Sequence, residues 1–327
     1  MITSLIEMKN SIVMPLAIVA LLLAHAAATQ GVEPTTQEAE PSAAQQATAE
    51  KPRFDGYLFL DADGQPLPFQ SDEEIEEFLR TADVASTTKI PVGVTDPRKV
   101  LLSGQAVRAN AIFKDIDREE KNVRDKTGGK AKYYLVWRDW FGYDIAAYQV
   151  DRLLGLHRVA PVVERKIKRR DGSVQIWLEG TITEHERREN DFEPPDVARF
   201  NQQKETMHVF DNLVANRDSN LGNSMIDGNW RVWFIDCSRC FGNSEDLLLP
   251  QVITHCERKL WQNLQELDPE ETRARLKPYL AKKEIDALLA RRDKLVAHIQ
   301  ELIDEWGEEM IIFDDRPPTE TAPWASD

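Results

Sequence analysis

From Val107 to Lys114 the chain alternates with period two. Val107, Ala109, Ala111 and Phe113 point one way, and Arg108, Asn110, Ile112 and Lys114 the other, the pattern of a strand between two different environments. Residues 100–102 read as a second strand that breaks at Ser103-Gly104-Gln105, so the two form a hairpin ending in a lysine. Residues 57–60 read as a strand closed by Asp61-Ala62-Asp63-Gly64. Residues 163–167 and 174–178 flank Asp171-Gly172 and predict another hairpin. Residues 72–80 follow a helical pattern with Ser71 as cap. In residues 144–156, Ala146, Val150, Leu153 and Leu154 share one helical face. Residues 203–215 turn Met207, Phe210, Leu213 and Val214 inward, and residues 257–305 are helical with breaks at Pro269 and Pro278. Strands first and helices later predict an α+β molecule of two packed lobes, 54–178 and 179–313, with a cleft between them.

The two ends follow a different pattern. An apolar stretch from Ile12 to Ala24 leads into Ala-His-Ala-Ala-Ala, and residues 1–28 read as a cleaved export signal. The alternative is a membrane anchor formed by residues 12–28, but the apolar run is short for a span, which needs about 20 residues. Residues 29–53, rich in Ala, Thr, Gln, Glu and Pro, read as a disordered linker, and the acidic residues 314–327 as a disordered tail. The expected product is a periplasmic or secreted protein with no stable membrane insertion after cleavage.

Composition narrows the partners. A formal net charge of −15 argues against nonspecific nucleic-acid binding. Three cysteines are too few for a disulfide framework. Cys237-x2-Cys240 with His255-Cys256 leaves open a zinc site, which would need four ligands, or one disulfide involving Cys256.

The chemistry-bearing segment runs from Asn216 to Asp236. It reads as a polar loop, a strand, an Asp-Gly turn and a second strand with a terminal acid. A hairpin between Asn223 and Asp236 would bring an amide and an acid together, with Asp218 nearby. Mg²⁺ takes oxygen ligands of that kind along with triphosphate oxygens. A separate carboxylate can orient an attacking hydroxyl and accept its proton. The order of lysine on an early strand, Asp-x4-Asn loop and later metal-binding Asp is the one protein kinases use.

Asn216-Arg217-Asp218-x4-Asn223 resembles a kinase catalytic loop. Phe234-Ile235-Asp236-Cys237-Ser238-Arg239-Cys240-Phe241-Gly242 resembles the metal-binding segment of the atypical secretory-pathway kinases, the Golgi casein kinase group. The stretch from Asp144 to Gly155, continuing to Val159-Ala160-Pro161, is similar to a helix of that group. It is equally similar to bacterial phosphatidylinositol 3/4-kinase-like and HipA-like proteins. The resemblance covers about residues 100–245. It implies a protein-kinase-like fold using ATP and Mg²⁺ or Mn²⁺, with a protein, sugar or lipid hydroxyl as acceptor. By the same resemblance, Lys114 holds the α- and β-phosphates, Asp144 is its helix partner, and Asp218 is the base. Asn223 and Asp236 are the metal ligands, and Gly104 turns the hairpin over the phosphates.

The chain departs from the pattern in places. The partner acid is usually Glu; Asp144 is one methylene shorter, so a looser or water-bridged lysine pair is expected. The usual Arg-His after the base is Ser219-Asn220, and there is no GxGxxG loop. A nucleotide-binding pseudokinase or scaffold therefore remains the rival class, with AMP transfer from the same site a third reading.

Overall fold

The computed structural model describes residues 59–91, 96–125 and 132–325. The export segment, the linker 29–53, residues 54–58 with the start of the strand expected at 57–60, and the basic loop 126–131 lie outside the described residues. No described helix is long and apolar enough to cross a membrane.

The first layer is a five-stranded antiparallel sheet. Its strands are β1 (Asp83–Lys89), β2 (Arg98–Gly104), β3 (Val107–Lys114), β6 (Val162–Ile167) and β7 (Arg170–Ile176), in the order β1-β2-β3-β7-β6. Helix α1 (Asp72–Thr81) packs on β6 and β7, and Ser71 caps it by accepting the Glu74 N–H at 3.3 Å. The β3 alternation explains what each face does. Val107, Ala109, Ala111 and Phe113 are buried with Ile75, Phe78 and Leu79 of α1. Ile112 and Lys114, on the other face, line the cleft.

Between β3 and the next helix the chain forms a separate two-stranded arm, β4 (Asp117–Asp125) with β5 (Lys132–Trp140). Helix α2 (Phe141–Leu153) then packs against β6, β7 and α6 (Pro269–Leu276). It begins three residues before the sequence reading placed it. Asp144 therefore falls in its first turn, and Trp140 occupies the N-cap without a side-chain cap bond.

The Asp171-Gly172 turn is displaced as well. The hairpin turns at Lys168 and Arg169, with φ of 48° and 69°, while Gly172 lies within β7 opposite Arg165. Crowding accounts for the glycine: a Cβ there would lie 2.4 Å from the Lys114 carbonyl oxygen and 2.5 Å from the Phe113 ring. Gly172 is what lets the end of β3 approach β7.

The second lobe is mainly helical. It contains β8 (Ile182–Thr183), α3 (Glu184–Glu189), α4 (Val197–Val214), the hairpin β9 (Ser224–Ile226) and β10 (Val232–Phe234), and α5 (Arg258–Glu266). It continues with α6 and α7 (Lys282–Trp306). Phe210, Leu213, Leu260, Leu264, Leu288 and Leu295 belong to its core, which extends to the apolar face of α2. Pro269 starts α6 behind the Asp268 cap, as a proline at a first helical position should.

The C-terminal segment is not the loose tail its composition predicts. Ala322 is fully buried and its N–H donates to the Gly228 carbonyl at 2.7 Å. Trp324 stacks on Trp230 and Phe192, with ring centroids 4.9 and 5.1 Å apart. Cys237, Cys240 and Cys256 are buried free thiols.

Candidate active site

Helix α4 positions the loop that resembles a catalytic loop. Its C-cap, Ala215, is left-handed (φ 51°), a conformation that usually falls to glycine, and it turns the chain sharply into the loop. Asp211, in the last turn of α4, then fastens the loop: it accepts from Asn216 Nδ2 at 2.8 Å and from Ser219 Oγ at 2.6 Å. Burial pushes the Asp211 carboxyl up, against the opposing pull of those two bonds. Asn216 Oδ1 accepts the Asp218 N–H at 3.1 Å, so the backbone of Asp218 is held from both sides.

The hairpin brings Asn223 beside Asp236. The Ile235 N–H donates to the Asn223 carbonyl at 3.2 Å, one residue before the acid. Asp227 builds the turn of that hairpin, accepting from the N–H groups of Asn229 at 2.8 Å and Arg231 at 3.0 Å and from Trp233 Nε1 at 2.9 Å. Asn223 Nδ2 donates to the Asp218 carbonyl at 2.7 Å, which ties loop and strand together and turns the amide oxygen away from that bond.

Lys114 meets both acids. Its Nζ lies 2.8 Å from Asp236 Oδ1 and 3.1 Å from Asp144 Oδ2. The expected looser or water-bridged pair is thus a direct contact. The reason is local: the Cys237 N–H donates to Asp144 Oδ1 at 2.9 Å, drawing the first turn of α2 onto the segment after Asp236. Asp144 is engaged by this lysine and this N–H and does not cap its helix.

The electrostatics follow. Burial alone would lower the Lys114 ammonium, but Asp144 and Asp236 together hold it well above its ordinary value. Burial lifts the Asp144 carboxyl to about 6, against the pull of Lys114. Lys114 holds the Asp236 carboxyl below its ordinary value. The side chains of Lys114 and Asp144 are 6% and 5% exposed, whereas Asp236 keeps 33% and faces the cleft. Asp236 also sits at φ 60°, a strained setting for a non-glycine residue of the kind that collects at functional sites.

The cleft has a volume of about 850 Å³, within the usual range for ligand sites. Lys114, Asn223 and Asp236 line one region. Ile112 and Ile176 come from the sheet, Leu178 from the segment that leaves it, and Met225 and Ile235 from the helical lobe. Asp218 stands beside this region, its Oδ2 accepting from Arg239 Nη1 at 2.8 Å.

Gly104 is the predicted residue that is not brought to the site. It ends β2 against Ala82, beside the turn at Gln105 and Ala106. Lys114 ends β3, seven residues from Val107, or roughly 23 Å at strand rise. The strand connection at the lysine end is the one between β1 and β2. Its described ends, Ile90 and Pro97, line the cleft and are joined by an Ile90 N–H to Pro97 carbonyl bond of 3.0 Å. Sequence reasoning missed it because β1 is mostly polar and residues 90–97 carry no Gly-rich pattern. It also missed Arg239 and Asp139, although Arg239 lies inside the resembling segment.

A five-stranded sheet, a helix whose acid pairs with the sheet's lysine and a helical second lobe behind a shared cleft define an atypical protein-kinase-like fold. Solved structures bear this out. A structure described as hydra Fam20 with sugar superposes with a TM-score of 0.57 at 18% identity, covering 76% of this chain and 94% of that one. The Golgi casein kinase gives a TM-score of 0.53 at 16% identity, covering 74% and 78%. A further structure of the Golgi casein kinase, with Mn/ADP bound, gives 0.52 at 16% identity, covering 75% and 80%. By sequence alone the chain matches no protein-family model and no curated protein.

Proposed function

We propose that this protein is an ATP- and Mg²⁺-dependent phosphotransferase, an atypical kinase that transfers the γ-phosphoryl group to a hydroxyl of a protein, sugar or lipid. On the reading of residues 1–28 it acts in an export compartment. The observation that carries the proposal is the convergence on one cleft of a lysine held by a buried carboxylate, a second, half-buried carboxylate and an oriented amide. Lys114 takes the α- and β-phosphate oxygens, and Asp144 keeps its ammonium in place. Asp236 and Asn223 hold the divalent cation with oxygen donors only, a set that suits Mg²⁺ and also Mn²⁺. A cation held there would supply neutralisation of charge on the phosphate oxygens, the chemistry that phosphoryl transfer needs. Asp218 orients the acceptor hydroxyl and accepts its proton. Ile112 and Met225 flank the space for the base. One fold neighbour's Mn/ADP state supports this use of the cleft.

Thermal shift with ATP, with and without Mg²⁺, tests the reading. A ligand present at ~100 times its dissociation constant adds ~2.7 kcal/mol of stability. The shift should vanish in Asp236→Ala, measured against that variant's own unliganded melting point. A full ATP shift in that variant removes Asp236 from the site. Label transferred from the γ-position supports a kinase, and label from the α-position indicates AMP transfer instead. Nucleotide binding with neither transfer indicates a pseudokinase.

A further inference from the structure

The cation at Asp218 comes from outside its own loop. Between Asp218 and Asn223 the loop carries Ser219, Asn220, Leu221 and Gly222, none of them basic. Arg239 reaches in instead: its Nη1 donates to Asp218 Oδ2 at 2.8 Å and its Nε to Asp139 Oδ2 at 2.9 Å. One guanidinium thus bridges the loop after α4, the segment after Asp236 and the end of β5. The backbone around it is pinned, since the Trp140 N–H donates to the Ser238 carbonyl at 2.8 Å and the Cys237 N–H to Asp144 at 2.9 Å.

Asp139 is the second observation. It is buried, and among the described residues its Oδ1 finds no hydrogen-bond donor. A buried carboxylate with one oxygen unsatisfied costs stability, and its persistence asks for a reason. Gripping Arg239 from behind supplies one. With Asp139 on one side and Asp218 on the other, the planar fork has a single orientation.

We propose that Arg239, supported by Asp139, is the positioning residue of the transfer reaction. Resting on the phosphotransferase reading above, the role is specific. Arg239 engages Oδ2 of Asp218 and so sets its rotamer, leaving Oδ1, which among the described residues accepts from Asn220 Nδ2 alone at 3.2 Å, for the acceptor hydroxyl. As the acceptor oxygen bonds to phosphorus and the bond to the departing nucleoside diphosphate breaks, the hydroxyl proton passes to Oδ1 of Asp218.

The test separates positioning from bracing. Arg239→Ala should lower kcat by ~10², the scale of a misplaced reacting group. Its ATP-dependent thermal shift and nucleotide KM should stay within about threefold, under ~1 kcal/mol. Millimolar guanidinium should restore part of the lost turnover in Arg239→Ala and none in Asp218→Asn. Arg239→Lys should remain impaired, because one ammonium lacks the fork that spans two carboxylates. Asp139→Asn should lose less, and adding it to Arg239→Ala should cost nothing more. Wild-type turnover in Arg239→Ala overturns the proposal while leaving the kinase reading intact. So does a loss that guanidinium cannot rescue and that removes the ATP shift as well, since that marks a structural brace. A wild-type protein that binds ATP yet transfers nothing overturns both.

Discussion

Glu184 shows how much a single charge organises the residues around it. It opens α3, and its side chain, 3% exposed, accepts from Arg187 at 2.6 Å and from Arg188 and Lys204 at 2.9 Å each. Its burial would raise the carboxyl, but the three cations bring it down to about 2. The folded value lies below that of an unfolded glutamate, about 4.3. Its contribution to stability is therefore whole above pH ~4.5 and is lost as pH falls towards 2. Glu184→Gln leaves three cations facing a neutral amide and should cost about 3 kcal/mol at pH 7, the scale for breaking a buried ion pair. Urea midpoints should show that deficit narrowing between pH 5 and pH 3. A deficit that stays constant over that range would mean that Glu184 is not ionised in the way its partners require. Because Thr183, His185 and Glu186 line the cleft, the same variant should also loosen the wall of the proposed nucleotide site.

Elements were legible in the sequence where burial imposes a period. Strand β3 and helices α1, α4 and α7 each present one apolar face to a core, and the sequence shows it. The residues proposed as base and metal ligands were legible too, because a hairpin between Asn223 and Asp236 is a local event. What stayed hidden depends on distant neighbours. Strand β1 is an edge strand with little apolar content, so nothing in its own pattern marks it. Gly172 looked like a turn residue, yet its lack of a Cβ is required by Lys114 and Phe113 on another strand. Gly172→Ala tests that account. The added carbon, 2.4 Å from the Lys114 carbonyl oxygen, must push β3 off β7. Overpacking of this kind costs about 1–3 kcal/mol, and for a protein of this size each kcal/mol lowers Tm by roughly 2–4 °C. The ATP-dependent shift should weaken as well, because Lys114 moves with its backbone. A variant with unchanged Tm and unchanged ATP response would show that the strands have slack there.

At the scale of the whole molecule, the C-terminal strap ties the outer end of the β9–β10 hairpin to the helical lobe. Composition hid it, since Asp314-Asp315-Arg316-Pro317-Pro318 has no period, and its aromatic anchor is a tryptophan ten residues from the start of that stretch. The contacts are nonetheless specific. Arg199 Nε donates to the Arg316 carbonyl at 2.6 Å, and Arg158 lies 3.5 Å from Asp315. Ala322 bonds the Gly228 carbonyl, and Ala325 lies so close that a Cβ on Gly228 would sit 2.5 Å from its own Cβ. The hairpin held in this way starts next to Asn223 and ends next to Asp236. The strap therefore acts on the site through the turn it covers. Truncation after Phe313 should expose Trp230, now 3% exposed, and red-shift the tryptophan emission. The loss of two buried aromatic contacts and the covered alanine should cost about 3–5 kcal/mol, the scale of a large-to-small core change. ATP should stabilise the truncated protein less than the full chain at equal occupancy of Mg²⁺, because an unsupported turn lets the two proposed ligands drift apart. Trp324→Ala in the full chain should reproduce most of both effects, which separates loss of the anchor from loss of the acidic residues before it. If the truncated protein melts and responds to ATP as the full chain does, the strap only covers the surface and the hairpin is held from within.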